Sequence, residues 1–270
     1  MLSPLLLTWT FAAALVASLA TKLWLATRQM RHVASHRPAV PAPFAEKVSL
    51  AAHQRAADYT LAKGRFSLLG MAFGSVVLLG WTLLGGLDTL NAWVFDTVQP
   101  RWGNLAYQLS LLVAFTVIGG LLDLPFDLYG TFRIEQQFGF NRTSWRLYLV
   151  DMIKGALVGA LIGLPLAAGV LWIMGATGAT WWLWAWGAWV AFNLLIMVVY
   201  PTVIAPLFNK FEPLADESLK ARVQALMQRC GFAAKGLFVM DGSRRSAHGN
   251  AYFTGLGAAK RVVFYDTLLA

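Results

Sequence analysis

The chain has 270 residues, of which 58% are hydrophobic and 13% charged, with a formal net charge of +9. Soluble globular chains carry roughly 45–50% apolar and about 25% charged residues. The composition therefore excludes an ordinary soluble enzyme, and its apolar content excludes a disordered chain. The basic excess reads as loop charge of a membrane protein and not as a nucleic-acid footprint, so a lipid bilayer is the expected partner and no nucleic acid is.

A helix needs about 20 apolar residues to cross a bilayer core. Residues 1–21, 66–87 and 103–122 are uncharged runs of that length. Residues 155–209 contain no charge over 55 positions, too many for one span. The turn composition Gly175-Ala-Thr-Gly-Ala-Thr180 divides them into spans at about 155–174 and 181–203. Five tryptophans from Trp181 to Trp189 suit a headgroup layer at the start of the fifth span. The first run lacks a basic leader, so a retained span is expected there and not a cleaved signal peptide.

Of the 22 lysines and arginines, 21 fall in residues 22–65, 123–154 and 210–270, alternate connections between the spans. Basic loops stay cytoplasmic. This places the N-terminus outside and the C-terminal tail in the cytoplasm, in a bacterial inner membrane or an endoplasmic reticulum.

The first basic loop opens with the proline-rich Pro38-Ala-Val-Pro-Ala-Pro43. Ser49 is a good N-cap for a surface helix from Ala51 to Lys63, with Gly64 as its stop. His32 and His36 lie four apart, but without a neighbouring glutamate and too close to the prolines for a stable helix. In the tail, Leu219, Val223, Leu226, Met227 and Cys230 recur at helical spacing up to Gly231. Residues 236–241 read as a strand. Residues 250–254 and 260–265 read as a hairpin around Gly255-Leu-Gly257. Asp266 or Thr267 is suited to cap a further helix. A helix, a strand and a hairpin in 61 residues are too small to bury an adequate core alone, so residues 210–270 read as an incomplete domain. The single cysteine excludes an intrachain disulfide and a cysteine-based zinc site.

Two segments carry more. One is Tyr129-Gly-Thr-Phe-Arg-Ile-Glu-Gln-Gln-Phe-Gly-Phe-Asn-Arg-Thr-Ser-Trp145 with Asp151-Met-Ile-Lys154. The other is Val239-Met-Asp-Gly-Ser-Arg-Arg-Ser-Ala-His-Gly-Asn-Ala-Tyr-Phe-Thr-Gly255 with Lys260-Arg-Val-Val-Phe-Tyr-Asp-Thr-Leu268. Together with Ala205-Pro-Leu-Phe-Asn-Lys-Phe-Glu-Pro-Leu214 and Ala57-Asp-Tyr-Thr60, they resemble the type I CAAX prenyl endopeptidases, integral-membrane zinc metalloproteases. The resemblance runs in order through nearly the whole chain. It implies a polytopic α-helical membrane protein whose five transmembrane helices and two cytoplasmic loops occupy residues 1–209. Residues 210–270 would be the incomplete N-terminal part of an α+β, zincin-like cytoplasmic protease domain.

The resemblance also implies a zinc endopeptidase acting near substrate C-termini or on membrane-associated proteins. The substrate would be a peptide or protein, prenylated and bearing a CAAX end in a eukaryote; in a bacterium, quality-control proteolysis is the better expectation. The family's His-Glu-x-x-His motif does not occur in these 270 residues. The chain by itself is therefore expected to be inactive and to bind no Zn2+, which belongs to the intact family member. No catalytic or metal residue is assigned. What the resemblance does place is a substrate-binding strand, Asn250, Ala251, Tyr252 and Phe253.

Other charged residues have plainer expectations. Glu135 and Arg133 are a candidate anchor for their loop through a salt bridge, and Asp123 and Asp127 flank Pro125 at the inner end of the third span. His248 is an expected structural neighbour of the active site, Arg244-Arg245 an expected solvated or membrane-facing pair, and the glycosylation triplet at Asn141 an unused one. The competing reading is a non-enzymatic polytopic protein, a transporter or scaffold, with Gly155, Gly159 and Gly163 packing helices closely.

Overall fold

The computed structural model describes residues 3–232, 236–257 and 260–270. It divides into two compact units, Met1–Phe138 and Gly139–Ala270. Among the described residues five helices are long and apolar enough to cross a membrane.

In the first unit, α1 (Pro4–His36) is capped by Ser3, whose hydroxyl accepts from the Leu6 amide at 3.2 Å. It continues past the uncharged run to His36. The expectation that nearby prolines would unravel His32 and His36 is corrected: the helix runs to His36, Arg37 still has α geometry (φ −58°, ψ −35°), and the ladder stops at Pro38, which has no amide to donate. After a 3-10 turn at Ala42–Phe44, α2 (Leu50–Thr82) starts on the expected cap, with Ser49 Oγ accepting from the Ala52 amide at 3.2 Å. It does not stop at Gly64. The surface helix and the second span are one helix, and Gly64 lies inside it. A Cβ there would stand 2.8 Å from Met30 Sδ, so this glycine serves the close approach of α1 and α2.

Gly85, at φ +77°, turns the chain into α3 (Gly86–Tyr129). Gly103 (φ 77°, ψ −178°) interrupts that helix, which makes residues 86–102 a separate helical segment before the third span. That segment stands where the sequence suggested only a connecting loop. Leu90 and Val94 bury one face of it, and the Tyr107 hydroxyl bonds Asn91. A π-helical turn, Gly130–Glu135, and the short α4 (Gln136–Phe138) close the unit.

In the second unit, α5 (Trp145–Ala176) is capped by Ser144, and a 3-10 turn at Gly178–Thr180 leads into α6 (Trp181–Val199). The turn falls where the glycine-threonine run predicts it, with Gly178 at φ +56°. A π-helical turn at Tyr200–Ile204 contains Pro201, whose missing amide cannot continue the helical ladder, and α7 (Ala205–Phe208) follows. Hydroxyls along the spans, such as Thr202 at 2.7 Å from the Val198 carbonyl, bond back into their own helix. In a bilayer no water is present to do so.

The remainder is a small α+β layer. Strand β1 (Phe211–Pro213) has no counterpart in the sequence reading, because three residues ending in proline carry no alternation to detect. Helix α8 (Glu217–Arg229) is capped by Asp216, accepting from the Leu219 amide at 2.9 Å, and ends before Gly231 at φ +64°. Then come β2 (Gly236–Met240), β3 (Ala251–Thr254), β4 (Arg261–Tyr265) and α9 (Asp266–Leu269). The strand order is β1-β2-β4-β3. Strand β2 pairs antiparallel with β1 and parallel with β4, and β3 pairs antiparallel with β4, as the hairpin reading required. Val263, on the inner strand β4, is fully buried; Leu214, Leu237 and Met240 complete the core.

Candidate functional site

Strand β3 is the outer strand of the sheet, so one of its two edges meets β4 and the other does not. The pairing register sets which groups face which way. Ala251 lies opposite Phe264 and Tyr252 opposite Val263. The Tyr265 amide donates to the Asn250 carbonyl at 2.9 Å, which makes Asn250 and Tyr265 a hydrogen-bonded pair. Hydrogen-bonded and non-bonded pairs alternate in an antiparallel ladder. Tyr252 and Thr254 therefore turn their main-chain groups toward β4, and Ala251 and Phe253 turn theirs to the open edge. The Ala251 amide is held by its neighbour's side chain, with Asn250 Oδ1 at 2.9 Å.

The side chains alternate as well. Ala251 and Phe253 are exposed, and Tyr252 is half-buried, its hydroxyl 3.8 Å from Met240 Sδ. Burial pushes the Tyr252 phenol above its ordinary range. The Phe253 ring is 72% exposed, with an edge contact to Phe232 at 5.3 Å. The arrangement is an apolar strip beside main-chain groups that β4 does not use, which is what strand addition by a peptide requires.

What holds this edge in place lies in the loop before it. Arg245 is the hub: Nε and Nη2 fork onto the Asp151 carboxylate at 2.7 and 2.9 Å, Nη1 reaches Asn209 Oδ1 at 2.7 Å, and Nη2 also reaches the Phe208 carbonyl at 2.8 Å. The expectation of a solvated basic pair is corrected for Arg245, which is three-quarters enclosed; Arg244 is exposed and pairs with Asp241 at 3.2 Å. The loop also pairs with the segment before α5, through a bridge between Asn141 and Ser246 and the Ala247 amide on the Phe140 carbonyl at 2.9 Å.

At its other end, Asp266 Oδ1 accepts from the Ser243 amide at 2.8 Å, and the Ser243 hydroxyl bonds Oδ2. Burial raises the Asp266 carboxyl, but the Ser243 and Thr267 hydrogen bonds and the charge of Arg142 outweigh it and hold it below the usual carboxylate range. His248 stacks on Phe140, ring centroids 4.1 Å apart, and its carbonyl accepts from the Thr267 hydroxyl at 2.8 Å. Its place is that of a wedge in the loop. Sequence reasoning missed the Arg245–Asp151 pair. Both residues lie in the segments quoted above, but 94 positions apart, and nothing in one chain links such a pair before it folds.

A metal has no holder among these side chains. Among the described residues no three of His, Cys, Asp and Glu converge as a metal site. His32 and His36 stack 4.2 Å apart on α1, but His36 Nδ1 sits 2.9 Å from the His32 carbonyl and His53 Nε2 sits 2.9 Å from the His36 carbonyl. The donor set does not fit the zinc that the resemblance implies.

In the first unit, Glu135 is drawn to α2: it accepts from the Tyr59 hydroxyl at 2.6 Å and from Lys63 Nζ at 3.1 Å. Asp123, Asp127 and Glu135, with Lys63, Phe66 and Phe126, line an open cleft of about 520 Å3. Arg37 forks onto Asp58 at 2.7 and 2.9 Å. These contacts tie α2 to the end of α1 and to the π-helical turn after α3.

The fold is that of a polytopic α-helical membrane protein followed by a small mixed sheet of metallopeptidase type. Residues 29–210 match the family described as CAAX prenyl protease N-terminal, five membrane helices, and residues 213–270 match peptidase family M48. A CAAX prenyl protease 1 homolog of Oryza sativa is 36% identical over 251 residues, covering 88% of this chain and 57% of its own. One from Caenorhabditis elegans is 35% identical, with 96% of this chain and 58% of its own covered. The crystal structure of S. mikatae Ste24p superposes with a TM-score of 0.86 at 29% identity, covering 95% of this chain and 61% of that one. The chain thus belongs to the CAAX prenyl protease family of M48 metallopeptidases, and it spans less than two thirds of the length of these relatives.

Proposed function

We propose that the chain supplies the membrane domain, residues 1–209, and the substrate-side portion, residues 210–270, of a membrane-embedded zinc endopeptidase. In this reading a peptide, in a eukaryote the prenylated CAAX end of a protein, lies along β3 as an added strand. The observation that carries it is the outward main chain of Ala251 and Phe253 on the outermost strand of the sheet. Asn250 and Tyr252 brace the strand, Asn250 through the Tyr265 amide and Tyr252 through its half-buried ring. The zinc and its ligands are assigned to residues other than these 270, so this chain by itself is inactive.

The test pairs two proteins. In a chain of the relatives' full length, Ala251→Pro removes an outward amide that β4 does not use. It is expected to cut cleavage of a farnesylated CAAX peptide by about 10-fold while leaving thermal stability nearly intact; the loss of one main-chain bond to substrate is worth up to about that much. The 270-residue chain itself is expected to carry no stoichiometric zinc and to cleave nothing. Undiminished turnover by the proline variant, or chelator-sensitive cleavage by the short chain, defeats the proposal.

The orientation follows the basic loops: N-terminus outside, residues 210–270 in the cytoplasm. Single cysteines placed at positions 95 and 225, both exposed, in a background with Cys230 replaced, are expected to label from opposite sides of intact vesicles. Labelling of both from one side reverses the assignment.

A further inference from the structure

The second unit contains a basic pocket that the peptide-binding strand does not use. It measures about 490 Å3 and is lined by Arg142, Ser144, Arg146, Leu147, Val150 and Arg244. Three guanidinium groups and no carboxylate form its walls. Among the described residues neither Arg142 nor Arg146 makes an ion pair, while Arg244 shares its charge with Asp241 at 3.2 Å. Asp266 is the other acid that feels this charge, through Arg142. The pocket also sits at the start of the 32-residue helix α5, whose N-terminal end adds partial positive charge.

The position of the pocket along α5 selects its ligand. Asp151 is consumed by Arg245, and Lys154 Nζ bonds the Leu207 carbonyl at 3.1 Å. With those two charges satisfied within the protein, the exposed surface is apolar from Leu149 and Val150 through Ile153 to Leu157 and Leu161. Arg146 lies one helical turn before this surface, about 5 Å along the axis, and exposed Trp145 stands beside it. That is the depth of the headgroups, where indole rings collect. An array of arginines there, open to the bilayer, meets phosphate oxygens in the planar, forked geometry that guanidinium favours.

We propose that the pocket formed by Arg142, Arg146 and Arg244 binds the phosphate of an anionic phospholipid, with the acyl chains lying along the apolar face of α5. The site is independent of β3 and of any metal. It anchors the second unit to the leaflet at the basic end of α5, the leaflet in which anionic lipids are concentrated.

The experiment measures retention of dioleoylphosphatidylglycerol against dioleoylphosphatidylcholine by the purified full chain in detergent, read by native mass spectrometry. Each arginine near such a surface contributes roughly 5-fold. Arg142→Gln/Arg146→Gln is therefore expected to weaken phosphatidylglycerol binding about 10-fold or more and leave phosphatidylcholine unchanged. Arg146→Gln alone, an exposed and unpaired position, serves if the double variant fails to fold, with an expected loss of about 5-fold. Arg222→Gln/Arg229→Gln on α8 removes the same charge elsewhere and is expected to change nothing. An equal loss in that control, unchanged retention in the pocket variants, or displacement of the lipid by about 10 mM inorganic phosphate overturns the proposal.

Discussion

Replacing Arg245 by alanine is expected to lower the stability of the second unit by about 2–3 kcal/mol. One guanidinium serves Asp151, Asn209 and the Phe208 carbonyl, so the substitution orphans a carboxylate and two further acceptors together. Breaking a buried ion pair from one side costs about 3–5 kcal/mol. The two side chains here are 25% and 23% exposed, and the water that reaches them trims that range. Across a unit of this size the loss corresponds to roughly 5–10 °C in thermal midpoint. Arg245→Lys keeps the charge but cannot fork onto Asp151 while reaching Asn209, and it is expected to recover less than half. The double variant Arg245→Ala/Asp151→Ala is expected to be more stable than Arg245→Ala alone, because no orphan carboxylate is left. Thermal unfolding of the purified chain in detergent measures all three. An Arg245→Ala protein that melts within about 1 °C of the parent removes the hub from the account of how β3 is held.

Adding a single methyl group at Gly242 is the second large effect. Gly242 is buried, and a Cβ there would stand 2.5 Å from Tyr265 Cδ2 and 3.1 Å from Cγ. An aromatic ring wedged between strands does not yield as a flexible side-chain end does. Overpacking of this kind costs about 1–3 kcal/mol. Because Tyr265 is also the residue whose amide holds the Asn250 carbonyl, displacement of its backbone loosens the first rung of the β3–β4 ladder. Gly242→Ala is expected to speed hydrogen exchange at the Tyr265 and Tyr252 amides. Combining it with Tyr265→Ala, which empties the space the methyl needs, is expected to restore most of the difference relative to Tyr265→Ala alone. A Gly242→Ala chain with parental exchange at both amides contradicts the steric argument.

The five spans were legible from uncharged runs, because a bilayer imposes a length and a composition on any helix that crosses it. The local signals at element ends were also readable. Ser49 caps the helix it precedes, Gly178 and Gly231 turn the chain, and the alternation in residues 250–254 and 260–265 forms the expected hairpin. Each of these depends on interactions within a few residues. Gly64 shows the limit of such signals. By composition it ends a helix, yet α2 runs through it, against the roughly 1 kcal/mol that glycine costs in a helix interior, at a place where the helix lies close to Met30 of α1.

Membership of the CAAX prenyl protease family was readable in the quoted segments, but the use of their residues was not. Asp151 in α5 and Arg245 before β3 become one fork only when 94 positions of chain close between them. The identity of the open edge was likewise decided by tertiary structure. Residues 250–254 have the same alternation whether they lie inside a sheet or at its margin. It is the parallel pairing of β2 with β4 that occupies the far side of β4 and leaves β3 outermost. A strand's sequence reports which side chains share a face, because that follows from its own two-residue period. Which of its edges stays unpaired depends on the other strands, and only the assembled sheet specifies them.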